Sequence, residues 1–194
     1  MRSFVSWPPA ALFLLALILP SRAVAGWPHD PVTGMAVCAA ANDQVSIRMI
    51  ADGTGGVILV WQDRRAGSNY DIYAQRLDAA GQTLWTAGGL AVCTAANDQS
   101  TPALASDGAG GAIFTWYDYR SSPFPDIYAQ RIDAAGSPQW TANGVPICTA
   151  SWEQFDPVPA SDGAGGAIIT WYDYRNGATS DIFAQRVNTS GLAQ

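Results

Sequence analysis

The sequence contains no lysine, one histidine and one glutamate, and these gaps exclude more than the residues present define. Acidic side chains outnumber basic ones 16 to 10, giving a formal charge of −6. A chain of that charge lacks the basic stripe that nucleic acid or an anionic membrane requires. The glycines of Gly108-Ala109-Gly110-Gly111 are followed by no Lys and Ser/Thr pair, so they are not a phosphate loop. Glycoside hydrolysis asks for two carboxylates flanking one bond at a set separation, and Glu153 is the only glutamate. Long apolar runs are also scarce. The one candidate, Ala10 to Leu19, is short for a membrane span and ends at Pro20.

That run belongs to a leader. Met1-Arg2 is a positive start, and Ala23-Val24-Ala25 before Gly26 has the small-x-small form of a signal-peptidase site. Residues 1–25 are read as a signal peptide and Gly26 as the first mature residue, with a membrane anchor as the competing reading. Loss of Arg2 and Arg22 takes the charge to −8. The product is expected to be secreted, extracellular or on the cell surface, a periplasmic location included.

What the chain does have is a repeat. Ser106 to Arg120 recurs almost letter for letter at Ser161 to Arg175, and more weakly at Ala51 to Arg65. Trp61, Trp116 and Trp171 are spaced by 55 residues, as are Asp71, Asp126 and Asp181, and Cys38, Cys93 and Cys148. One unit of that length cannot bury both of its faces and must be covered by its neighbours. Three units are assigned, 34–88, 89–143 and 144–194.

In the second unit the pattern predicts strands at Thr101 to Ser106, Ala112 to Tyr119, Asp126 to Asp133 and Val145 to Thr149. Asp107-Gly108 opens a glycine-rich hairpin between the first two. The strand Ala-Ile-Phe-Thr-Trp-Tyr is apolar on both faces, which suits a sheet covered on both sides. The expected fold is all-β: a β-propeller-type array of three four-stranded antiparallel blades, forming an incomplete ring. A β-solenoid, with shorter rungs, is the alternative.

The order Pro102-x-Leu104-Ala105-x-Asp107, Gly111 to Arg120, Asp126-Ile127-Tyr128 and Asp133 to Trp140 resembles the repeats of secreted bacterial β-propellers distantly related to sialidase and BNR proteins. The likeness runs from Gly34 to Gln194. It departs from the Asp-box form of that superfamily, because Arg131 stands where a serine belongs and each interval is one residue longer. The resemblance implies a propeller fold and, as an alternative function, a sialidase-like glycoside hydrolase fragment.

Three blades cannot close a ring that usually needs four to eight. The segment 34–38 reads as a fourth strand placed before the first unit, with Trp27 as a shifted counterpart of Trp85, and the chain stops one residue before the next tryptophan is due. Truncation is one reading. The other is a head-to-tail dimer in which each amino-terminal strand completes the last blade of the second copy.

The repeated polar residues read as architecture, because a ligand site needs its residues once. Asp118, Arg120 and Asp126 have counterparts in Asp63, Arg65 and Asp71, and in Asp173, Arg175 and Asp181. They are expected to tie the end of the second strand to the start of the third, around Trp61, Trp116 and Trp171. Arg65, Arg120 and Arg175 superficially supply the arginine triad of a sialidase but sit on separate units, and no catalytic residue is assigned. The cysteines, at equivalent places on stacked sheets, are expected to be separate buried thiols with no disulfide. The Asp-Gly turns offer one carboxylate each, too few for calcium, and neither metal nor cofactor is assigned.

Function is expected where the repeats differ. Ser151-Trp152-Glu153-Gln154-Phe155 replaces the Ala-Asn-Asp-Gln of the earlier units, and Ser121 to Pro125 is also unmatched. Trp152, Glu153, Phe155, Tyr119 and Tyr174 are the candidate ligand-binding residues, an aromatic and acidic patch suited to a glycan or an extracellular protein. The plainer alternative is that these rings cap the packing between units. The functional reading is a secreted, non-catalytic binding or structural module.

Overall fold

The computed structural model describes residues 26–28, 30–121 and 123–194; residues 1–25, read above as a leader, and His29 and Ser122 lie outside the described residues. Eleven strands form three antiparallel sheets, and the described residues contain no helix. The first sheet runs β1 (Gln44–Ala51), β2 (Val57–Asp63), β3 (Asp71–Leu77) and β4 (Leu90–Cys93). The second repeats that order with β5 (Gln99–Ser106), β6 (Ala112–Asp118), β7 (Asp126–Ile132) and β8 (Val145–Cys148). The third has β9 (Gln154–Ser161), β10 (Ala167–Asp173) and β11 (Asp181–Val187) only. Its fourth strand, expected from the repeat, is absent from the described residues because the counterpart of β8 would fall beyond Gln194.

Local chemistry sets the strand boundaries. In each first hairpin an aspartate accepts the amides of the turn: Asp107 Oδ1 takes Ala109 N at 2.8 Å and Gly111 N at 2.9 Å. Gly111 cannot carry a side chain, since a Cβ there would strike the Ile132 carbonyl, and Gly56 and Gly166 are confined in the same way by Leu77 and Val187. The first strand of each sheet bulges, with Ser46, Thr101 and Asp156 at positive φ where the ladder slips.

The sheets stack in sequence order, with the second between the other two. Ile58 and Ile72 of the first sheet meet Phe114 and Trp116 of the second in one apolar cluster. Ile113 and Ile127 of the second meet Ile169 and Trp171 of the third in another. Each fully buried aliphatic side chain contributes about 1.5–3 kcal/mol, so the isoleucines between sheets are the main glue. β6 is buried along almost its whole length, which is why its sequence is apolar on both faces.

A third cluster sits at the amino-terminal end, where Leu59, Trp61 and Leu77 are covered by Val37 and Cys38. Segment 34–38 forms no strand, yet it rests where the preceding sheet would place one.

Candidate functional site

The repeated polar residues form one device, built three times. Trp116 donates its indole N–H to Asp118 Oδ2 at 2.7 Å, and Arg120 pairs with the same carboxylate. The Arg120 backbone amide also donates to Asp118 Oδ1, and its guanidinium lies over the Tyr128 ring at 3.9 Å. Trp61–Asp63–Arg65 over Tyr73 and Trp171–Asp173–Arg175 over Phe183 repeat the arrangement. Each aspartate is fully buried. Burial pushes the Asp173 carboxyl up, but the hydrogen bonds from Arg175 and Trp171 outweigh it and hold the group at about 2.

Asp126 and Asp181 stand opposite Asp118 and Asp173 in the ladder, as Asp71 stands opposite Asp63. They are not bonded to the arginines. Arg65 and Arg120 instead reach forward to the carbonyls of Gly88 and Asn143, tying the end of the second strand to the approach to the fourth. Burial, and then the charge of Asp63 across the ladder, push Asp71 up to about 6; burial and Asp118 raise Asp126 likewise. Arg65, Arg120 and Arg175 each serve their own sheet and do not converge.

A second ion pair in every unit escaped the sequence reading. Arg76, Arg131 and Arg186 each hold the turn aspartate of their own hairpin, Asp52, Asp107 and Asp162, at 2.9, 3.0 and 2.9 Å. The signal was present as a constant interval of 24 residues between the two partners. These aspartates are occupied by turn amides and guanidinium, and no three His, Cys, Asp or Glu side chains gather among the described residues.

The thiols are three separate free cysteines. Each faces the aspartate of one device: Cys93 Sγ is 3.9 Å from Asp118 Oδ2 and accepts from Arg120, and Cys38 and Cys148 make the same contacts at Asp63 and Asp173, at 3.9 and 3.6 Å from the carboxylates. Cys93 is buried and its thiol is pushed up to about 12 by that burial; Cys38 and Cys148 are only partly buried.

The site unique to one place lies on the rim where the β6–β7, β8–β9 and β10–β11 loops meet. The backbone joins them: Gln154 N donates to Pro125 O at 3.0 Å, and Tyr174 N to Glu153 O at 2.9 Å. Tyr119, Tyr117, Phe155 and Tyr174 form an edge-to-face chain with centroid spacings of 5.9, 5.3 and 6.2 Å. Glu153 is close enough to Tyr119 to help raise its pKa, after burial and the neighbouring Tyr117 and Asp98. Tyr117, not among the expected residues, is the link that joins Tyr119 to Phe155.

Trp152 stands apart from that chain. It packs at 5.2 Å from Phe124, a residue of the unmatched 121–125 stretch, and its ring also lies against Gly177. The two rings flank a recess of about 500 Å³ lined by Ser121, Asp126, Thr149 and Ser151. A neighbouring recess of about 420 Å³ is lined by Tyr117, Phe155, Tyr172 and Tyr174.

The backbone of Trp152 carries the most information. Its φ is +65°, in the left-handed region, where Asn97 and Asn42 stand one and two units earlier at 62° and 60°. Asparagine tolerates that conformation, and Asn97 uses it to donate Nδ2 to Tyr119 O at 3.1 Å. Tryptophan is a poor occupant and makes no such bond. The loop holds it there because Gln154, fully buried, donates its amide to the carbonyl of Trp152 at 2.9 Å, as Gln99 does to Asn97. Nearly half of the Trp152 surface remains exposed.

No protein-family model matches this chain, and no curated protein matches it.

Proposed function

We propose that the three sheets are consecutive blades of a propeller-type array, and that the molecule is a secreted, non-catalytic module that binds uncharged carbohydrate on its Trp152 rim. The array reading is supported by the repetition of sheet order, interlocking devices and inter-sheet clusters. Export rests on the leader-like residues 1–25.

The observation that carries the binding reading is Trp152, an exposed ring held in a left-handed conformation where the other units carry asparagine. Unlike Ser46, Thr101 and Asp156, whose positive φ belongs to the bulge at the ladder slip, Trp152 carries its strain in a solvent-facing loop, where such strain supports a role in function. A sugar ring has apolar faces that stack on aromatic rings and a hydroxyl periphery that needs hydrogen-bond partners. Trp152 and Phe124 offer the first, and Asp126, Ser121, Thr149 and Ser151 the second. Glu153 and Asp126, together with the overall negative charge, disfavour an acidic sugar and any polyanion.

A glycan microarray carrying neutral and sialylated oligosaccharides tests this, probed with the chain and with Trp152→Ala. Neutral ligands bound by the chain and lost in the variant are expected. Binding confined to sialylated ligands, or unaffected by the substitution, contradicts the reading, and capture of a protein alone would move the site to the extracellular-protein class.

A further inference from the structure

The faces of the first and third sheets that lie at the two ends of the described array are complementary, and we infer that a second copy of this chain joins them head to tail. At the carboxyl-terminal end, Ile168 and Ile182 are 45% and 68% exposed, whereas Ile113 and Ile127, their counterparts one unit earlier, are fully buried. Those counterparts are buried by the sheet that follows them. At the amino-terminal end, Leu59, Trp61 and Leu77 occupy the places that Phe114, Trp116 and Ile132 hold in the cluster between the first two sheets. Val37 and Cys38 stand there for Val92 and Cys93. What is lacking there is the contribution of a preceding sheet, which in the internal cluster includes Ile58, Val60, Ile72 and Ala74. Ile168 and Ile182 are the positions of Ile58 and Ile72 in the repeat, exposed at the other end.

The strand edges match as the faces do. β3 and β7 each receive a short fourth strand, pairing Ile72 with Cys93 and Ile127 with Cys148. Among the described residues β11 receives none, and it forms an edge of its sheet. Segment 34–38, with the residues of a fourth strand but no third strand beside it, already makes the forward contacts of one: Cys38 reaches Asp63 as Cys93 reaches Asp118. Trp27 likewise donates to Ala79 O at 2.9 Å, as Trp85 does to Ala134 O at 3.2 Å. In the proposed assembly, 34–38 of one copy adds to β11 of the other, setting Cys38 opposite Ile182. Met49, 67% exposed, then takes the place of Leu104, which packs against the internal cluster. Two copies give six sheets, within the four to eight that close a propeller ring, so the contact closes as a dimer rather than continuing as a filament.

Sedimentation equilibrium tests it with the chain, Met49→Asp, Ile182→Asp and an equal mixture of the two variants. Both side chains are exposed in a single copy, so neither change disturbs its core. The chain is expected to have the mass of two copies and each variant that of one. The mixture regains the mass of two, because each variant retains one intact end. Ile182→Cys supplies an independent readout: a covalent dimer on a non-reducing gel that disappears when Cys38→Ser is added. A single-copy mass for the chain at about 100 µM, a concentration far above the dissociation constants of specific interfaces, overturns the inference. So does a dimer that survives both aspartate substitutions, or the absence of a Cys38-dependent cross-link.

Discussion

Cys38 Sγ lies 3.9 Å from Asp63 Oδ2, the same separation as Cys93 from Asp118, although Cys93 sits in a strand and Cys38 does not. The contact that Cys93 makes from the first sheet to the second is therefore kept at Cys38, where no strand of a preceding sheet stands among the described residues. The three thiols each face a different Trp–Asp–Arg device and are free. A denatured, unreduced sample is expected to titrate three thiols per chain, with Cys93 the slowest to react before denaturation. A single thiol after denaturation would mean a disulfide that this arrangement forbids.

The Trp–Asp–Arg device predicts an asymmetry among aspartates of the same repeat. Asp118→Asn leaves Arg120 beside a neutral group inside the protein and is expected to cost about 3 kcal/mol, at the lower end for breaking a buried pair. Asp162→Asn, facing an Arg186 that is half exposed, keeps its turn hydrogen bonds and should cost clearly less. Urea denaturation of both variants checks the order; equal losses would show that the buried device is not a principal support.

The carboxyls opposing each other across the ladders set the pH dependence. Asp71, pushed up to about 6, binds a proton in the folded chain at pH values where the unfolded chain has released it. Between about pH 4 and 6 stability therefore falls as pH rises through this group. Asp63 and Asp173 act oppositely, since their lowered pKa values make stability fall as pH drops below about 4. Maximal stability is expected near pH 4–5, and Asp71→Asn should flatten the decline between about pH 4 and 6. A melting temperature that rises steadily to pH 7 in the unmodified chain would contradict this assignment.

The sequence made the strand positions legible to within two residues, because the 55-residue repeat marks the strands three times over and glycine turns punctuate them. It also made the divergent rim legible, since Trp152 and Phe155 break a pattern that is otherwise kept. It did not reveal that these two rings serve different recesses, because Tyr117 and Phe124 complete them from a strand and a loop that lie far away in the chain. Arg76, Arg131 and Arg186 keep a constant interval of 24 residues from their aspartates in the sequence, but the interval names no partner until the strands between bring the two side chains together.

The account turns on Trp152 being kept for contact with a ligand at some expense to the fold. Trp152→Asn restores the residue type of Asn42 and Asn97, suits the left-handed backbone, and places an amide where it can donate to the Tyr174 carbonyl. Relief of a strained non-glycine residue is worth about 1–3 kcal/mol, set against the lost packing on Phe124 and Gly177. The decisive measurement is the melting temperature of Trp152→Asn, taken on protein that has also been assayed for carbohydrate binding. The account predicts a melting temperature equal to or above that of the unmodified chain, with binding lost; a lower melting temperature, with binding retained, would show that Trp152 is a packing residue and contradict it.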